Sequence, residues 1–310
     1  MTARTVDAHL HLWTPSRGDY AWLAQAPLAL QREFTIAEAT ETLDACGMQT
    51  AVLVQAAPTI AETKFLLDIA KHWERAAGVV GWLPLDGAVE TSRALDALDD
   101  ALLVGVRPML QDLSDARYLL REEVVASLEC IANRERSRAF DALILPKHMS
   151  VLLEFLEIAA RFKSPLRVVL DHVAKPAVRE GRTWTDFTAW RTQLRAIAVH
   201  PNACCKLSGL VTEASETSTV ADVQPYIEAA LECFGAARLL WGSDWPVVTL
   251  RSSASAWQSV ALECMQSLTP TERDAIFGLN AVREYQLSPR SPMETSGNLT
   301  RNVARTHRTP

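Results

Sequence analysis

The stretch VDAHLHLW, residues 6–13, decides the reading of this chain, together with LLWGSDWPV at residues 239–247. In the first, a short apolar run carries two histidines, His9 and His11, two positions apart. Side chains alternate across a strand, so both imidazoles share one face. Two imidazoles on one face can grip a metal ion or polarise a carbonyl group. The second stretch ends an aliphatic run in Gly242, Ser243 and Asp244. The first strand leads into no glycine-rich turn of the kind that opens a nucleotide-binding doubly wound sheet.

Working outward from these two stretches, β-branched and aliphatic runs recur at residues 5–11, 50–56, 78–85, 103–109, 139–145, 166–173, 204–211 and 239–244. Longer amphipathic stretches follow them, for example at residues 36–46, 61–75, 149–161 and 223–234. Strands alternating with helices imply an α/β fold with a parallel sheet. Eight of them over this length predict a single-domain (β/α)8 TIM barrel spanning residues 1–287. Two segments depart from the alternation. Residues 13–34, rich in Trp, Tyr and Pro, are long for a loop after a first strand and are expected to cover the barrel mouth. Residues 288–310 are polar and basic, and are expected to form a disordered tail.

The composition narrows the function classes. Of 310 residues, 48% are hydrophobic and 22% charged, as in ordinary globular proteins, and the formal net charge is −6. Such a balance speaks against a nucleic-acid partner and for a small-molecule one. Asp7 and His9 interrupt the first apolar run, so it does not read as a signal peptide, and no run approaches the length needed to span a membrane. The six cysteines form no CxxC pair. They read as reduced thiols in a cytoplasmic protein.

Barrel enzymes place their chemistry at the C-terminal ends of the strands. His9 and His11 end the first strand, His172 the sixth (VVLDHVAKP) and Asp244 the eighth. In a closed barrel the eighth strand lies beside the first, which brings Asp244 to the histidines. The expected register of strand six turns His172 inward with Val168 and Leu170, leaving Asp171 to face the helices. Arg107, in GVRP, points inward at the end of strand four, where a guanidinium can bind a carboxylate or carbonyl oxygen in a fork. It could equally be tied to a neighbouring loop carboxylate. Lys175 lies three residues beyond His172. Trp13, Tyr20, Trp22 and Trp245 are candidates for an aromatic wall against a ring-shaped substrate, although barrel rims also use aromatics to pack loops. Gln55 and Glu213 complete the candidate substrate contacts.

VDAHLHLW, VLDHVAKP, CKLSGLVTEA and GSDWPV together resemble the amidohydrolase superfamily. AVLVQAAPTIAET, GVVGWLPLD, GVRP and ERDAIFGLNAVREY add to the resemblance, which covers about residues 5–287. Within the superfamily it is greatest to the sugar-acid lactonases of the L-fuconolactonase and L-rhamnonolactonase type. The 2-pyrone-4,6-dicarboxylate lactonases are more distant. The resemblance implies a hydrolase that opens a lactone, with Asp244 as general base. His9, His11, His172 and Asp244 would then hold one divalent ion, zinc by their donor chemistry, or the histidines would polarise the carbonyl with no metal at all. Binuclear members need a Lys or His at the end of strand five, and AFDALILP offers neither, so one ion at most is expected. Two alternatives remain at this stage: a decarboxylase of aromatic acids on the same fold, which usually carries a further His on strand five, and a binding protein without turnover.

Overall fold

The computed structural model describes residues 4–98 and 100–288. The tail expected beyond Ser288 lies outside the described residues. Eight parallel strands follow one another around a single sheet: β1 (Val6–Leu10), β2 (Thr50–Val54), β3 (Ala76–Gly81), β4 (Leu103–Val106), β5 (Ala139–Ala142), β6 (Val168–Leu170), β7 (Ala203–Leu207) and β8 (Leu239–Trp241). Each is followed by its helix: α1 (Ile36–Ala45), α2 (Ile60–His72), α3 (Ala88–Leu98), α4 (Glu122–Ala132), α5 (Met149–Ala159), α6 (Phe187–Ala198), α7 (Val220–Phe234) and α8 (Ala254–Cys264). Some of the helices begin at a capping side chain that pairs with free N–H groups near the first turn. Thr35 with Glu38 caps α1, Thr59 caps α2, and Thr219 with Asp222 caps α7.

The seam between β8 and β1 is closed at the end of the strands where the histidines lie. Leu10 bridges Trp245, His11 N–H donates to Trp245 O at 2.8 Å, and Asp244 N–H donates to His9 O at 2.9 Å. Asp7 Oδ1 accepts from the backbone of both sides, His9 N–H at 3.0 Å and Ser243 N–H at 2.9 Å. The fold is therefore the (β/α)8 barrel that the alternation implies. The strands stop one to four residues before the expected apolar runs do, because those runs continue into the loops that carry the chemistry.

Two apolar layers show which way each side chain points. One cluster takes Val6 and Ala8, Val52 and Val54, Ala77 and Val80, Val104, Ala139, Val169, Cys204 and Leu240, from all eight strands, and is plugged below by Tyr285 and Leu287. This is the barrel interior. The other cluster joins the remaining strand residues, among them Leu10, Phe140, Val168, Leu170, Cys205 and Trp241, to the helices. Cys204 and Cys205 thus face opposite sides. On β6, Val169 faces inward and Val168 and Leu170 face the helices, so the expected register of that strand is reversed. No helix among the described residues is long and apolar enough to cross a membrane.

Candidate active site

On β1 the inward residues Val6 and Ala8 are followed by a shift of register against β2 between Asp7 and Leu10. A bulge of this kind inserts one residue and reverses the phase of alternation. It turns His9 and His11 into the barrel, while Leu10 and Leu12 join the outer layer. Gly242 on the neighbouring segment makes room: a Cβ there would stand 2.7 Å from His9 Cβ.

His172 reaches the site by a different route. β6 ends at Leu170, and residues His172, Val173, Ala174 and Lys175 all adopt positive φ, between 49° and 60°. The chain coils off the strand, and that coil carries His172 inward. Asp171, which continues the inward parity of Val169, is wholly buried in the site rather than facing the helices. His172 Nδ1 meets Ser208 Oγ at 2.9 Å. Gly209 (φ 66°) follows, and a Cβ there would stand 2.7 Å from His172 Nδ1.

These groups assemble over a charged floor. His9 Nε2 lies 3.1 Å from His11 Nε2, and Asp244 Oδ1 lies 3.4 Å from His11 Nε2 and 3.7 Å from His9 Nε2. His11 Nδ1 is held by Val54 O at 2.7 Å. Beneath His9, Lys206 Nζ stands 3.0 Å from His9 Nδ1, 2.5 Å from Asp141 Oδ2 and 3.0 Å from Asp171 Oδ1. Tyr285, just past the last helix (Asn280–Glu284), donates its hydroxyl to Asp141 Oδ2 at 2.8 Å. Arg107 spans from Asp171 Oδ2, at 3.3 Å, to the carbonyl oxygen of Gln55.

Burial and these neighbours set the charges. Burial pushes His9 well below the ordinary imidazole value, and Lys206 adds to the effect. His172 is pushed down to about 4 by burial, with Asp244 and Asp171 opposing. For Asp244, burial alone would favour the neutral acid. His172, His11 and His9 outweigh it and hold the carboxyl well below the usual range. Burial likewise opposes the charge on Lys206, and Asp141 and Asp171 overcome it. The site therefore presents an acidic carboxylate beside two imidazoles, His9 and His172, held below their ordinary range, with a buried ammonium below.

Above lies a cavity of about 390 Å³. Asp244, His11, His172, Arg107 and Lys175 line it, with Trp13 and Trp22 on its wall. Lys175 Nζ donates to Gln111 Oε1 at 3.1 Å and pairs with Glu213 Oε1 at 3.6 Å. His9 lies under the floor and does not line the cavity. Tyr20 and Trp245 pack in the outer apolar layer, Trp245 edge-on to Phe34. Gln55 is buried behind Arg107, donating to its carbonyl oxygen at 2.8 Å. Three of the expected substrate contacts therefore stand away from the cavity. The residues that sequence reasoning did not place in the site include Lys206, Asp171, Asp141, Gln111 and Asp112. The parity of CKLSG, with Lys206 two positions before Ser208, was the available signal for Lys206.

Two groups of side chains have ligand atoms close enough together for a metal ion: His9, His11 and Asp244, and His9, Asp171 and His172. They share His9. In the first, the separations of 3.1, 3.4 and 3.7 Å bracket the edge of about 3.3 Å that a tetrahedral zinc site with ~2.0–2.1 Å bonds would have. That donor set fits one ion. Lys147 is exposed after β5, and His148 is absent from the cavity lining, so neither reaches this centre.

Known proteins share this plan. An L-fucono-1,5-lactonase of Burkholderia ambifaria is 38% identical over 291 residues, covering 93% of this chain and 97% of that protein. An L-fucono-1,5-lactonase of Burkholderia multivorans is 33% identical over 298 residues, covering 93% and 97%. The crystal structure of an amidohydrolase from Burkholderia multivorans with bound zinc superposes with a TM-score of 0.84 at 31% identity, covering 92% of this chain and all of that one. The amidohydrolase family pattern matches residues 6–287, and the chain belongs to the amidohydrolase family.

Proposed function

We propose that the chain hydrolyses the ring ester of a sugar-acid lactone. The observation that carries the reading is the placement of the Asp244 carboxyl group at the cavity, beside His11 and His172. A carboxylate so placed can take a proton from water as the water attacks a carbonyl carbon. Asp244 then returns the proton to the departing ring oxygen, which leaves as the hydroxyl of the open acid. His172, its Nδ1 engaged by Ser208, directs its other ring nitrogen to the substrate, and Arg107 supplies positive charge near the developing oxyanion. His9, His11 and Asp244, with His172 beside them, would hold one divalent ion, zinc by their chemistry, which when bound supplies Lewis-acid polarisation of the carbonyl.

The cavity walls fit a hydroxylated ring. Trp13, Trp22 and Leu143 offer apolar surface, while Gln111, Thr212 and Glu213 offer hydrogen-bond partners. Arg107 and Lys175 face Asp112, Glu213 and Asp244 around the same space, so the cavity carries no excess of positive charge. A neutral lactone suits it better than the carboxylate an aromatic acid decarboxylase must bind. At β5, where such a decarboxylase would place a histidine, Asp141 is engaged by Lys206 and Tyr285. The similarity to L-fucono-1,5-lactonases supports a six-membered aldonolactone as the first substrate to try. Residues 1–287 are proposed as the single catalytic domain. Six free thiols suit a reducing cytoplasm, and a sugar-acid lactone as substrate suits a role in carbohydrate catabolism. The test is a panel of 1,4- and 1,5-aldonolactones alongside aromatic carboxylic acids, with proton release and decarboxylation followed separately. Proton release from aldonolactones alone is expected. Decarboxylation, or turnover of neither class, would overturn the reading.

A further inference from the structure

Lys206 is wholly buried, and the mechanism above does not use it. An ammonium only donates hydrogen bonds. Its three neighbours are Asp141 Oδ2, His9 Nδ1 and Asp171 Oδ1, at 2.5, 3.0 and 3.0 Å. His9 Nδ1 must therefore offer its lone pair, and a neutral His9 ring then carries its proton on Nε2. The other end of the chain of contacts gives the same polarity independently. His11 Nδ1 lies 2.7 Å from Val54 O, which can only accept, so His11 holds a proton on Nδ1, and a neutral His11 ring then leaves Nε2 bare. The 3.1 Å contact between the two Nε2 atoms is then His9 donating to His11. One direction runs through the whole series: Lys206 to His9, His9 to His11, His11 to Val54. Arg107 Nη1 also lies 3.5 Å from His9 Nε2, the outer limit of a hydrogen bond, and it sits closer to Asp171 Oδ2 at 3.3 Å.

We propose that Lys206 is a positioning residue: it locks His9 in the Nε2–H tautomer and thereby restrains capture of a divalent ion at the His9–His11–Asp244 centre. For His9 Nε2 to become a ligand, its proton must move to Nδ1, where Lys206 already donates. The other acceptor near Nδ1 is Asp171 Oδ1, 3.6 Å away and itself 3.0 Å from the Lys206 ammonium. The site thus has two self-consistent hydrogen-bond arrangements. Lys206 favours the one without metal. In that arrangement His11 Nε2 is occupied by a donor, and Asp244 stays free to meet water. The inference concerns the same site as the proposed lactone hydrolysis, but it is read from the ring and from metal binding rather than from turnover, so the two can fail separately.

The first measurement is long-range proton–nitrogen correlation NMR on chelator-treated, ¹⁵N-histidine-labelled full-length protein, with the His9 signals assigned by their loss in His9→Gln. The expected result is a bare, pyridine-type Nδ1 and a protonated, pyrrole-type Nε2. A protonated Nδ1 in the metal-free protein would overturn the proposal. The second uses Lys206→Met combined with Asp141→Asn, which removes one buried charge of each sign, with Asp141→Asn alone as the reference. Zinc titrated by calorimetry should bind the double variant at least tenfold more tightly than the reference. Equal or weaker binding would overturn the link between Lys206 and metal capture. Should the double variant not fold, the tautomer measurement on the native sequence still decides the matter.

Discussion

Replacing Asp244 by Asn tests the chemistry most directly, and the structure makes it a clean replacement. Asp244 sits at φ 58°, a region that Asn tolerates nearly alone among the non-glycine residues. Its backbone N–H bond to His9 O, 2.9 Å long, does not involve the side chain. The amide keeps the volume but cannot accept a proton from water. General-base assistance is worth ~10²–10⁴-fold, or about 3–5 kcal/mol of barrier, so kcat for lactone opening should fall by at least a hundredfold. The sample must be checked by urea denaturation, because Asp244 is also the charge opposite His172, His11 and His9. Adding excess zinc separates two causes of the loss. If the carboxylate matters as a metal ligand, metal restores occupancy and rate together; if it matters as the base, the rate stays low with the metal bound. The pH profile is a further check. Because the neighbouring imidazoles hold Asp244 well below the usual carboxylate range, the native rate should show no acid limb near pH 4 from this group. An Asn variant that retains near-native kcat would refute the role given to Asp244.

Two further predictions concern how the site is held. Gly242→Ala puts a Cβ 2.7 Å from His9 Cβ and 3.0 Å from His9 N, where backbone must shift; a loss of ~1–3 kcal/mol of stability with a fall in kcat is expected, and unchanged values for both would show that β1 and the Gly242 turn are not in the tight contact described. Burial lowers the His172 pKa from 6.5 to about 4, so between those values the unfolded chain binds a proton that the folded chain refuses. That contribution is complete above pH 6.5 and is lost as the pH falls toward 4. Compared with His172→Gln, the native protein should lose up to about 1.4 kcal/mol more per pH unit in this window, on the order of 3 kcal/mol in all. Parallel stability curves for the two proteins would refute a neutral, buried His172.

The barrel, the shared face of His9 and His11, and the meeting of Asp244 with both were legible in the sequence. The first two follow from local periodicity, and the third follows once eight strands are taken to close. Arg107 and Lys175 also line the cavity as expected. Tyr20, Trp245 and Gln55 stand away from the cavity for one reason: an aromatic or amide near a strand end can pack outward or behind a neighbour as readily as inward, and composition carries no direction. The error over Asp171 came from counting alternation through His172, where the chain has already left the strand at positive φ.

The sequence by itself determined the order of strands and helices and the chemical type of residue at each strand end, because both are set by the φ/ψ preferences and polarity of neighbouring residues. Only the tertiary structure decided which face those residues take and what they touch. The bulge that turns His9 inward exists only in pairing with β2. The partners of Lys206 lie 197 positions away at His9 and 65 away at Asp141. A buried ammonium needs acceptors on every side, and no local pattern records which distant strands supply them.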